Sequence, residues 1–337
     1  MIKTLELFGG IGAPRKALVN LGIDHKAIDY VEINEQAVRA YNALYDNRYK
    51  QQTVVGYTLQ PDILVHGSPC QDFSRSGKRL GGNDEDKTRS SLMWETLRII
   101  ENMGKWKPKY VIWENVTGVL DKDMIHNFNK YLTRMNDLGY TNSFDVLKAT
   151  DFGIPQKRER VFTVSILGDK AFDFTKLVKK PMRHIREFLE SDVTASQYMI
   201  TVPSMLNKIE EFNPVKETDT YKRRLDVIDD SCWTITERQD RCPNAGIIRK
   251  KDAPQYRYLT ERECWRLMGF SDGDFEAALQ AFPSKKGKRN ATLYRLAGNS
   301  IVVDVLEAIF KALQEEEFAE PSQDMVFGKR GQLQFIC

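Results

Sequence analysis

The sequence predicts an α/β protein with a mostly parallel, doubly wound sheet and a second, smaller domain of irregular structure. Three observations lead to this prediction. Apolar runs typical of buried strands alternate with amphipathic helical patterns up to about residue 190. The first strand is followed by a glycine turn, a helix, a second strand and an acidic residue. From about residue 193 to 257 the alternation stops and charged residues become frequent.

The first βαβ unit comprises a strand at Lys3–Leu7, a glycine-rich turn at residues 8–12 and a helix from about Ala13 to Leu21. A second strand, near Lys26–Val31, ends at Glu32. Glycines in such a turn let the backbone approach a ligand, and a carboxylate can accept hydrogen bonds from ribose hydroxyls. The spacing departs from GxGxxG, which favours a nucleoside without phosphates over a pyrophosphate. A plain tight turn with a surface carboxylate is the alternative interpretation.

The remaining elements follow from the same periodicities. They are helices at Glu35–Tyr45, Ser91–Met103 and Asn127–Leu138, and strands at Asp62–Val65, Tyr110–Trp113, Ser143–Leu147 and Val161–Ile166. Beyond the irregular stretch, a capping box predicts a helix that begins at Thr260. A last helix is expected at Ile301–Leu313, before an acidic run and a weakly structured tail. We assign residues 1–192 and 291–337 to one domain and residues 193–290 to the smaller one.

Composition restricts the possible classes of function. The chain has 337 residues, 41% of them hydrophobic and 29% charged, which is ordinary for a globular protein. Because the formal net charge is only +3, any nucleic-acid surface must be a local patch. The five cysteines form no CxxC pair and the four histidines lack ligand spacing, which argues against a disulfide framework and against a metal site. No apolar run has the length of a membrane helix and no signal peptide is recognisable, so a soluble, reducing compartment is expected.

Cys70 follows a strand at the place where ligands usually bind. The strand Asp62–Val65 leads into Gly67 to Gln71, and a polar, basic, glycine-rich stretch typical of a loop comes next, at residues 72–82. In open α/β sheets, ligands bind in the crevice beyond the carboxyl ends of the strands. A buried small hydrophobe is the ordinary role of a free cysteine, and the tripeptide Pro-Cys-Gln alone would favour that role.

Two further polar sets accompany strands. Glu114 and Asn115 come directly after the apolar strand Tyr110–Trp113, which favours a site over an ordinary surface carboxylate. Arg158 and Arg160 stand two positions apart at the start of a strand. Because side chains alternate along a strand, both are expected on one face with a shared target, whereas the alternative is a charged turn.

Six pieces of sequence occur in an order that is specific, although any one of them is a weak signal. They are Phe8-Gly9-Gly10-Ile11-Gly12, Pro69-Cys70-Gln71, Glu114-Asn115-Val116, Gln156-Lys157-Arg158-Glu159-Arg160, Arg262 to Phe270, and Gly298-Asn299-Ser300. Together they resemble the DNA (cytosine-5)-methyltransferase family of bacterial and phage type, over roughly residues 1–190 and 257–315. The resemblance implies a Rossmann-like methyltransferase sheet and a target-recognition domain. It also implies transfer of a methyl group from S-adenosylmethionine to carbon 5 of cytosine in DNA, with S-adenosylhomocysteine as product.

The family pattern implies roles for single residues of this sequence. The catalytic set is Cys70 as nucleophile, Glu114 at the target base, and Arg158 and Arg160 in support. The family pattern implies that Glu32 binds the ribose of the cofactor and that Pro69 shapes the nucleophile loop. The full set implied at the cofactor is Phe8, Gly10, Gly12, Glu32, Pro69, Leu92, Asn299 and Ser300. The residues implied at the DNA are Ser74, Arg75, Lys78 and Arg79 in the loop, and Thr234, Arg238, Gln239 and Arg241 in the irregular region, where Thr234-Ile235 resembles a short family motif.

One departure from the family concerns the adenine of the cofactor. Members usually carry an acidic residue between the second and third strands, which holds the adenine amino group. Residues 53–57 of this chain contain no carboxylate. Asp62 or a backbone carbonyl is the candidate replacement.

Three alternatives remain beside a DNA methyltransferase. A tRNA-methylating branch shares these motifs, but it usually carries a Cys-Phe-Thr element that this chain lacks. A catalytically silent binding module usually loses the cysteine or the glutamate, and both are present here. A redox Rossmann enzyme is disfavoured by the glycine spacing. We expect double-stranded DNA as partner, no membrane and no metal, a monomeric state, and the cytoplasm of a bacterium or a phage-infected cell.

Overall fold

A six-stranded sheet lies at the centre of the protein in the computed structural model, which describes residues 1–57, 59–68, 92–209, 225–250 and 255–318. The first seven strands in chain order are β1 (Ile2–Leu7), β2 (His25–Val31), β3 (Ile63–His66), β4 (Tyr110–Val116), β5 (Tyr140–Lys148), β6 (Gln156–Lys157) and β7 (Glu159–Leu167). The sheet has the order β2-β1-β3-β4-β7-β5, and β6 lies outside it. Strand β7 runs antiparallel to both of its neighbours, and the pairs among β2, β1, β3 and β4 are parallel.

Helices cover both faces of this sheet. The helices in the first half of the chain are α1 (Ala13–Asn20), α2 (Glu35–Tyr45), α3 (Leu92–Asn102) and α4 (Ile125–Asp137). Successive residues of β3 point to opposite faces, so that Ile63 and Val65 share a cluster with α1, whereas Leu64 packs with α3 and α4. The sheet is therefore doubly wound and mostly parallel, as the sequence predicts.

Local sequence explains where these helices begin. Gly12 adopts a left-handed conformation before α1, and a proline occupies the first turn of that helix, where its missing N–H is not needed. The side chain of Asn34 accepts hydrogen bonds from the backbone N–H groups of Gln36 and Ala37, which caps α2. In the second half of the chain, Thr260 and Glu263 form the predicted capping box at the start of a helix.

The second half of the chain is less regular until residue 260. Its elements are α5 (Pro203–Leu206), β8 (Cys232–Trp233), β9 (Ile248–Arg249), β10 (Tyr256–Arg257), α6 (Glu261–Arg266), α7 (Asp272–Ala281), α8 (Ala291–Gly298) and α9 (Val303–Phe318). Strands β9 and β10 form an antiparallel pair, and β8 pairs with β6 in parallel. A small cluster that includes Ile200, Ile247 and Tyr258 gives this region apolar packing of its own.

Helices α6 and α7 pack on the main body, although the predicted smaller domain includes them. Trp265 and Phe275 belong to the same apolar cluster as residues of α1, α8 and α9, and α7 lies against α2. The division into two domains stays a prediction. The packing of α6 and α7 favours an end of the smaller domain closer to residue 258 than to residue 290. None of the helices in the described ranges is both long and apolar enough to cross a bilayer.

Candidate active site

The register of the sheet aligns the carboxyl ends of β1, β2 and β3 with Trp113 of β4. Leu7 of β1 pairs with Val31 of β2 and with His66 of β3, and His66 pairs with Trp113 of β4. The next residues along the chain are Phe8, Glu32, Gly67 and Glu114. Because these strands are parallel, the glycine turn, Glu32 and the segment that leads to Cys70 leave the sheet at one edge. Glu114 lies at the same edge within β4, which continues to Val116.

The glycine turn and Glu32 are in direct contact. Phe8, Gly10 and Gly12 all have positive φ, of 55°, 55° and 77°. Glu32 accepts the N–H of Gly10 on Oε2 at 3.1 Å and the N–H of Asn34 on Oε1 at 2.8 Å. The space that a side chain on Gly10 would enter is open. Glu32 is therefore bonded to the turn, and its role at a ligand stays a prediction.

The segment after α2 borders the same edge. The N–H of Gln52 donates to the carbonyl of Glu32 at 2.9 Å. Asp29 of β2 accepts hydrogen bonds from the side chains of Gln52 and Tyr57, at 3.2 Å and 2.7 Å to Oδ2, and so holds this segment. Ile33 and Val55 stay 70% and 59% exposed although they are apolar, which leaves two apolar side chains available beside Glu32.

Asp62 does not lie at this edge. Its carboxylate accepts the N–H of Lys3 at 2.8 Å, at the amino ends of β1 and β3. The full length of β3 separates it from the residues that follow His66. The suggestion that Asp62 replaces the acidic adenine contact is therefore wrong, because the side chain is at the opposite edge of the sheet.

Glu114 forms an ion pair with Arg160. Nε of Arg160 lies 3.2 Å from Oε1 of Glu114, and the two side chains are only 18% and 13% exposed. In the antiparallel pair of β4 and β7, Glu114 is opposite Phe162, so that Arg160 is its diagonal neighbour on the same face. Oε2 of Glu114 lies 3.7 Å from the position that a Cβ on Gly67 would take, which brings Glu114 next to the segment before Cys70.

Arg158 lies at a junction between two segments of the chain. It is 5% exposed and lies between β6 and β7, where the strict alternation of one strand does not apply. Its guanidinium donates to the carbonyls of Ile235, Gly298 and Ser300 at 3.1, 3.3 and 2.7 Å. These contacts join the irregular region to the turn after α8, and a target shared with Arg160 stays a prediction.

The remaining predicted cofactor residues lie at the ends of two helices. Leu92 is the half-buried first residue of α3. Asn299 is the exposed C-cap of α8, and Ser300 is buried beside it. Ile301 was not predicted at the site, and its Cδ1 lies 4.0 Å from the position of a Cβ on Gly67. The turn after α8 therefore reaches the edge of the sheet where β3 and β4 end.

Ser68 was also not predicted. Its Oγ accepts the indole N–H of Trp113 at 3.1 Å, which ties the strand that carries Glu114 to the segment that leads to Cys70. Trp113 in turn stacks on His66, whose Nε2 is 3.0 Å from the hydroxyl of Tyr131. Burial lowers the pKa of His66 to about 3, so the imidazole is neutral. A small polar residue before Pro-Cys and a tryptophan before Glu-Asn are the signals that could have suggested this pair.

The predicted residues before and within the nucleophile loop lie outside the described residues. They are Pro69, Cys70, Ser74, Arg75, Lys78 and Arg79. Their roles stay predictions, supported by the position of Gly67 and Ser68 directly before them.

The predicted DNA-contact residues of the irregular region divide into two groups. Arg238 and Arg241 are exposed, and the hydroxyl of Thr234 donates to the carbonyl of Lys157 at 3.0 Å. Gln239 is 0% exposed, and its Oε1 accepts the N–H of Ala245 at 3.1 Å. The prediction that Gln239 contacts DNA is wrong, because its side chain is fully buried and its amide oxygen binds the backbone of this region.

Comparison with known proteins supports the same interpretation. The sequence profile described as C-5 cytosine-specific DNA methylase matches residues 2–315. The chain belongs to this family. It is therefore an enzyme of the DNA (cytosine-5)-methyltransferase class, as the motif order predicts.

Relatives match this methyltransferase over almost its whole length. The type II methyltransferase M2.ScrFI of Lactococcus lactis subsp. cremoris is 30% identical, with 93% of this chain and 99% of the relative covered. The type II methyltransferase M.NgoBI of Neisseria gonorrhoeae is 30% identical, with 92% of each covered. The crystal structure of S. pombe Dnmt2 methyltransferase is similar with a TM-score of 0.72 at 25% identity, covering 95% of this chain and 100% of that one.

Proposed function

We propose that this methyltransferase transfers a methyl group from S-adenosylmethionine to carbon 5 of a flipped-out cytosine in a specific duplex DNA sequence, through a covalent bond from Cys70 to carbon 6. The observation that carries the proposal is the alignment of the carboxyl ends of β1, β2 and β3 with Trp113 of β4. Phe8, Glu32, Gly67 and Glu114 follow four paired positions, so that the turn for the cofactor and the groups for the base open into one crevice.

The residues at the glycine turn fit S-adenosylmethionine. Gly10 leaves open space for a ligand. Helix α1 begins without a side-chain cap, so the N–H groups of Ala13 and Arg15, on either side of Pro14, are suited to a carboxylate. Glu32 keeps lone pairs for ribose hydroxyls although each of its oxygens already accepts one hydrogen bond. The exposed side chains of Ile33 and Val55 are suited to the faces of an adenine ring. When bound, the cofactor supplies an electrophilic methyl group.

The chain's own groups supply the activation of the base. Carbon 5 of cytosine is a poor nucleophile until the thiolate of Cys70 adds to carbon 6 and places carbanion character on carbon 5. Carbon 5 then takes the methyl group, loses its proton to a base, and the thiolate is eliminated. The carboxyl group of Glu114 is suited to hydrogen-bond ring nitrogen 3 as charge develops there, and Arg160 holds that carboxyl in place.

The target base must leave the duplex before this chemistry can occur. Extrusion of a base costs a few kcal/mol, roughly, so contacts to the DNA have to offset that cost. Ser74, Arg75, Lys78 and Arg79 are proposed to close on the nucleotide. The exposed Arg238 and Arg241, together with Thr234, are proposed as DNA contacts of the recognition region. Bisulfite sequencing of DNA from a methylation-free host that expresses the protein would identify the methylated sequence.

The nucleophile can be tested with Cys70→Ser and the matched control Cys242→Ser, which changes another free cysteine. We expect Cys70→Ser to lose transfer of tritiated methyl groups to duplex DNA by roughly a thousandfold or more, because a serine hydroxyl is a far weaker nucleophile at neutral pH. Binding of S-adenosylhomocysteine should stay within about twofold. Cys242→Ser should retain activity.

Covalent trapping on DNA tests the nucleophile, and an assay with tRNA tests the assignment of the substrate. DNA that contains 5-fluorocytosine should form a covalent complex with the native protein and with Cys242→Ser, and none with Cys70→Ser. Full activity of Cys70→Ser would remove that residue from the nucleophile role. Methyl transfer to tRNA in place of duplex DNA would overturn the assignment of the substrate.

A further inference from the structure

Two tyrosine hydroxyls hold the carbonyl groups of the glycine turn. The hydroxyl of Tyr30, in β2, donates to the carbonyl of Gly10 at 2.6 Å. The hydroxyl of Tyr45, in the last turn of α2, donates to the carbonyl of Gly12 at 2.7 Å. Both accepting residues have positive φ, so these bonds act on the part of the turn whose backbone conformation is least common.

The rings of the tyrosines also form the surface on which the turn rests. A Cβ on Gly9 would lie 2.6 Å from the ring of Tyr30, and a Cβ on Gly12 would lie 2.5 Å from Tyr41 and 2.7 Å from Tyr45. The ring centroids of Tyr30 and Tyr41 are 3.8 Å apart, and those of Tyr41 and Tyr45 are 4.7 Å apart. Only glycine at these positions allows the backbone to lie directly on the rings.

A buried polar chain fixes the orientation of the middle ring. Tyr41 donates its hydroxyl hydrogen to Oε1 of the fully buried Glu6 at 3.0 Å, and Nη1 of Arg15 donates to the Tyr41 hydroxyl at 3.4 Å. The guanidinium of Arg15 also lies 4.6 Å from the ring centroid of Tyr45. Packing and hydrogen bonds together leave the rings of Tyr30 and Tyr45 little freedom to turn their hydroxyls away from the carbonyls.

We propose that Tyr30 and Tyr45 are positioning residues for S-adenosylmethionine. Their hydroxyls hold the glycine turn in the conformation in which Gly10 borders open space and its N–H group is bonded to Glu32. Without them the turn would sample other conformations, and the cofactor would have to order it on binding. This inference rests on the proposed function, since it assigns the turn to that cofactor.

The test uses tyrosine-to-phenylalanine changes, which remove only the hydroxyls. The variants are Tyr30→Phe, Tyr45→Phe and the double variant. Tyr49→Phe is the matched control, because Tyr49 belongs to the same aromatic cluster but donates to the carbonyl of Ala27, away from the turn, at 3.3 Å. Binding of S-adenosylhomocysteine is measured by calorimetry, and methyl transfer to DNA is measured over a range of S-adenosylmethionine concentrations.

We expect each single change to raise the Kd for S-adenosylhomocysteine and the KM for S-adenosylmethionine by roughly three- to tenfold, as for the loss of one hydrogen bond, and the double change to raise them further. The kcat at saturating cofactor should stay within about twofold, and the KM for DNA should not change. A purely structural role would lower Tm and the active fraction without this selective effect on the cofactor.

The outcomes separate this inference from the proposed function. An unchanged Kd in the double variant, or an equal rise in Kd for Tyr49→Phe, would overturn the positioning role. Failure of the native protein to bind S-adenosylhomocysteine would instead overturn the assignment of the cofactor, before any variant is compared.

Discussion

The carboxyl group of Glu114 and the guanidinium of Arg160 form a mostly buried ion pair at the carboxyl edge of the sheet. Their separation is 3.2 Å, and the limited exposure of both side chains means that solvent screens the attraction only weakly. An ion pair of this kind restricts the rotamers of the glutamate as well as stabilising its charge. In the proposed mechanism, the orientation of Glu114 toward the base therefore depends on Arg160.

Removing the charge of Arg160 should impair catalysis more than folding. We expect Arg160→Gln to lower kcat by roughly ten- to a hundredfold, because hydrogen bonds to charged groups contribute about 1.5–3 kcal/mol and about 1.4 kcal/mol is a factor of ten in rate. Methyl transfer at saturating DNA and cofactor is the measurement. Arg183→Gln, which breaks the exposed pair with Glu187, is the control and should retain full activity. Activity of Arg160→Gln within twofold of the native enzyme would contradict the role.

The positions of single residues were predicted well from apolar strand patterns. The prediction was poor where the contacts of a residue depend on the direction of its side chain. Glu32 follows β2 and Glu114 follows the apolar part of β4, and both lie at the edge of the sheet that the sequence predicts. Arg158 and Gln239 have the residue types of catalytic and DNA-binding groups, yet both are buried on backbone partners. Those partners are distant in sequence for Arg158, and nothing local in the chain indicates them.

Elements were predicted from periodicity, whereas their directions and some of their boundaries depend on tertiary contacts. Strand β7 is as apolar as the parallel strands, and its antiparallel direction follows from its pairing with β4 and β5. Helix α7 was not predicted, although Ser271 and Asp274 form a capping box at its start. The strands of residues 225–257 have two residues each, which is too short for any periodic signal.

The end of α8 and the irregular region approach each other closely enough to require glycine. A Cβ on Gly298 would lie 2.3 to 2.5 Å from backbone atoms of Thr236 and Glu237. Arg158 bonds to carbonyls on both sides of this contact, at Ile235 and at Gly298 itself. The contact therefore couples the predicted recognition region to Asn299 and Ser300.

Gly298→Ala should separate these two segments. Backbone atoms cannot rotate away from a new methyl group, so we expect a loss of about 1–3 kcal/mol in the free energy of unfolding, or more. The KM values for DNA and cofactor should rise as the turn after α8 shifts. Gly273→Ala is the control, because its Cβ would meet only Oγ of Ser271 at 3.7 Å inside α7. Urea unfolding and steady-state kinetics test both changes; equal stability of the two variants would refute the close contact.

Across the whole molecule, buried titratable groups make stability depend on pH in opposing directions. Burial raises the pKa of Glu6 from 4.5 to about 7, and it raises that of Asp304 from 3.8 to about 6. Burial lowers the pKa of His66 from 6.5 to about 3. The carboxyl groups favour the folded state at low pH, whereas the histidine favours it at higher pH. Between about pH 4.5 and 6 the histidine therefore offsets one of the two carboxyl groups. The native protein alone would thus conceal each contribution.

Glu6→Gln isolates one of these contributions. Because the folded protein holds the proton of Glu6 up to about pH 7 and the unfolded chain only up to about pH 4.5, the stability from this group is fully present below pH 4.5 and lost as pH rises to 7. Glutamine keeps the acceptor for the Tyr41 hydroxyl and cannot ionise. We therefore expect the stability of Glu6→Gln, relative to the native protein, to improve by about 3 kcal/mol between pH 5 and pH 8. Urea unfolding at each pH measures the difference, in which the effects of Asp304 and His66 cancel. Glu101→Gln, at an exposed position, is the control. If the stability difference between Glu6→Gln and the native protein changed with pH as little as that of the control, Glu6 would ionise in the folded protein without penalty.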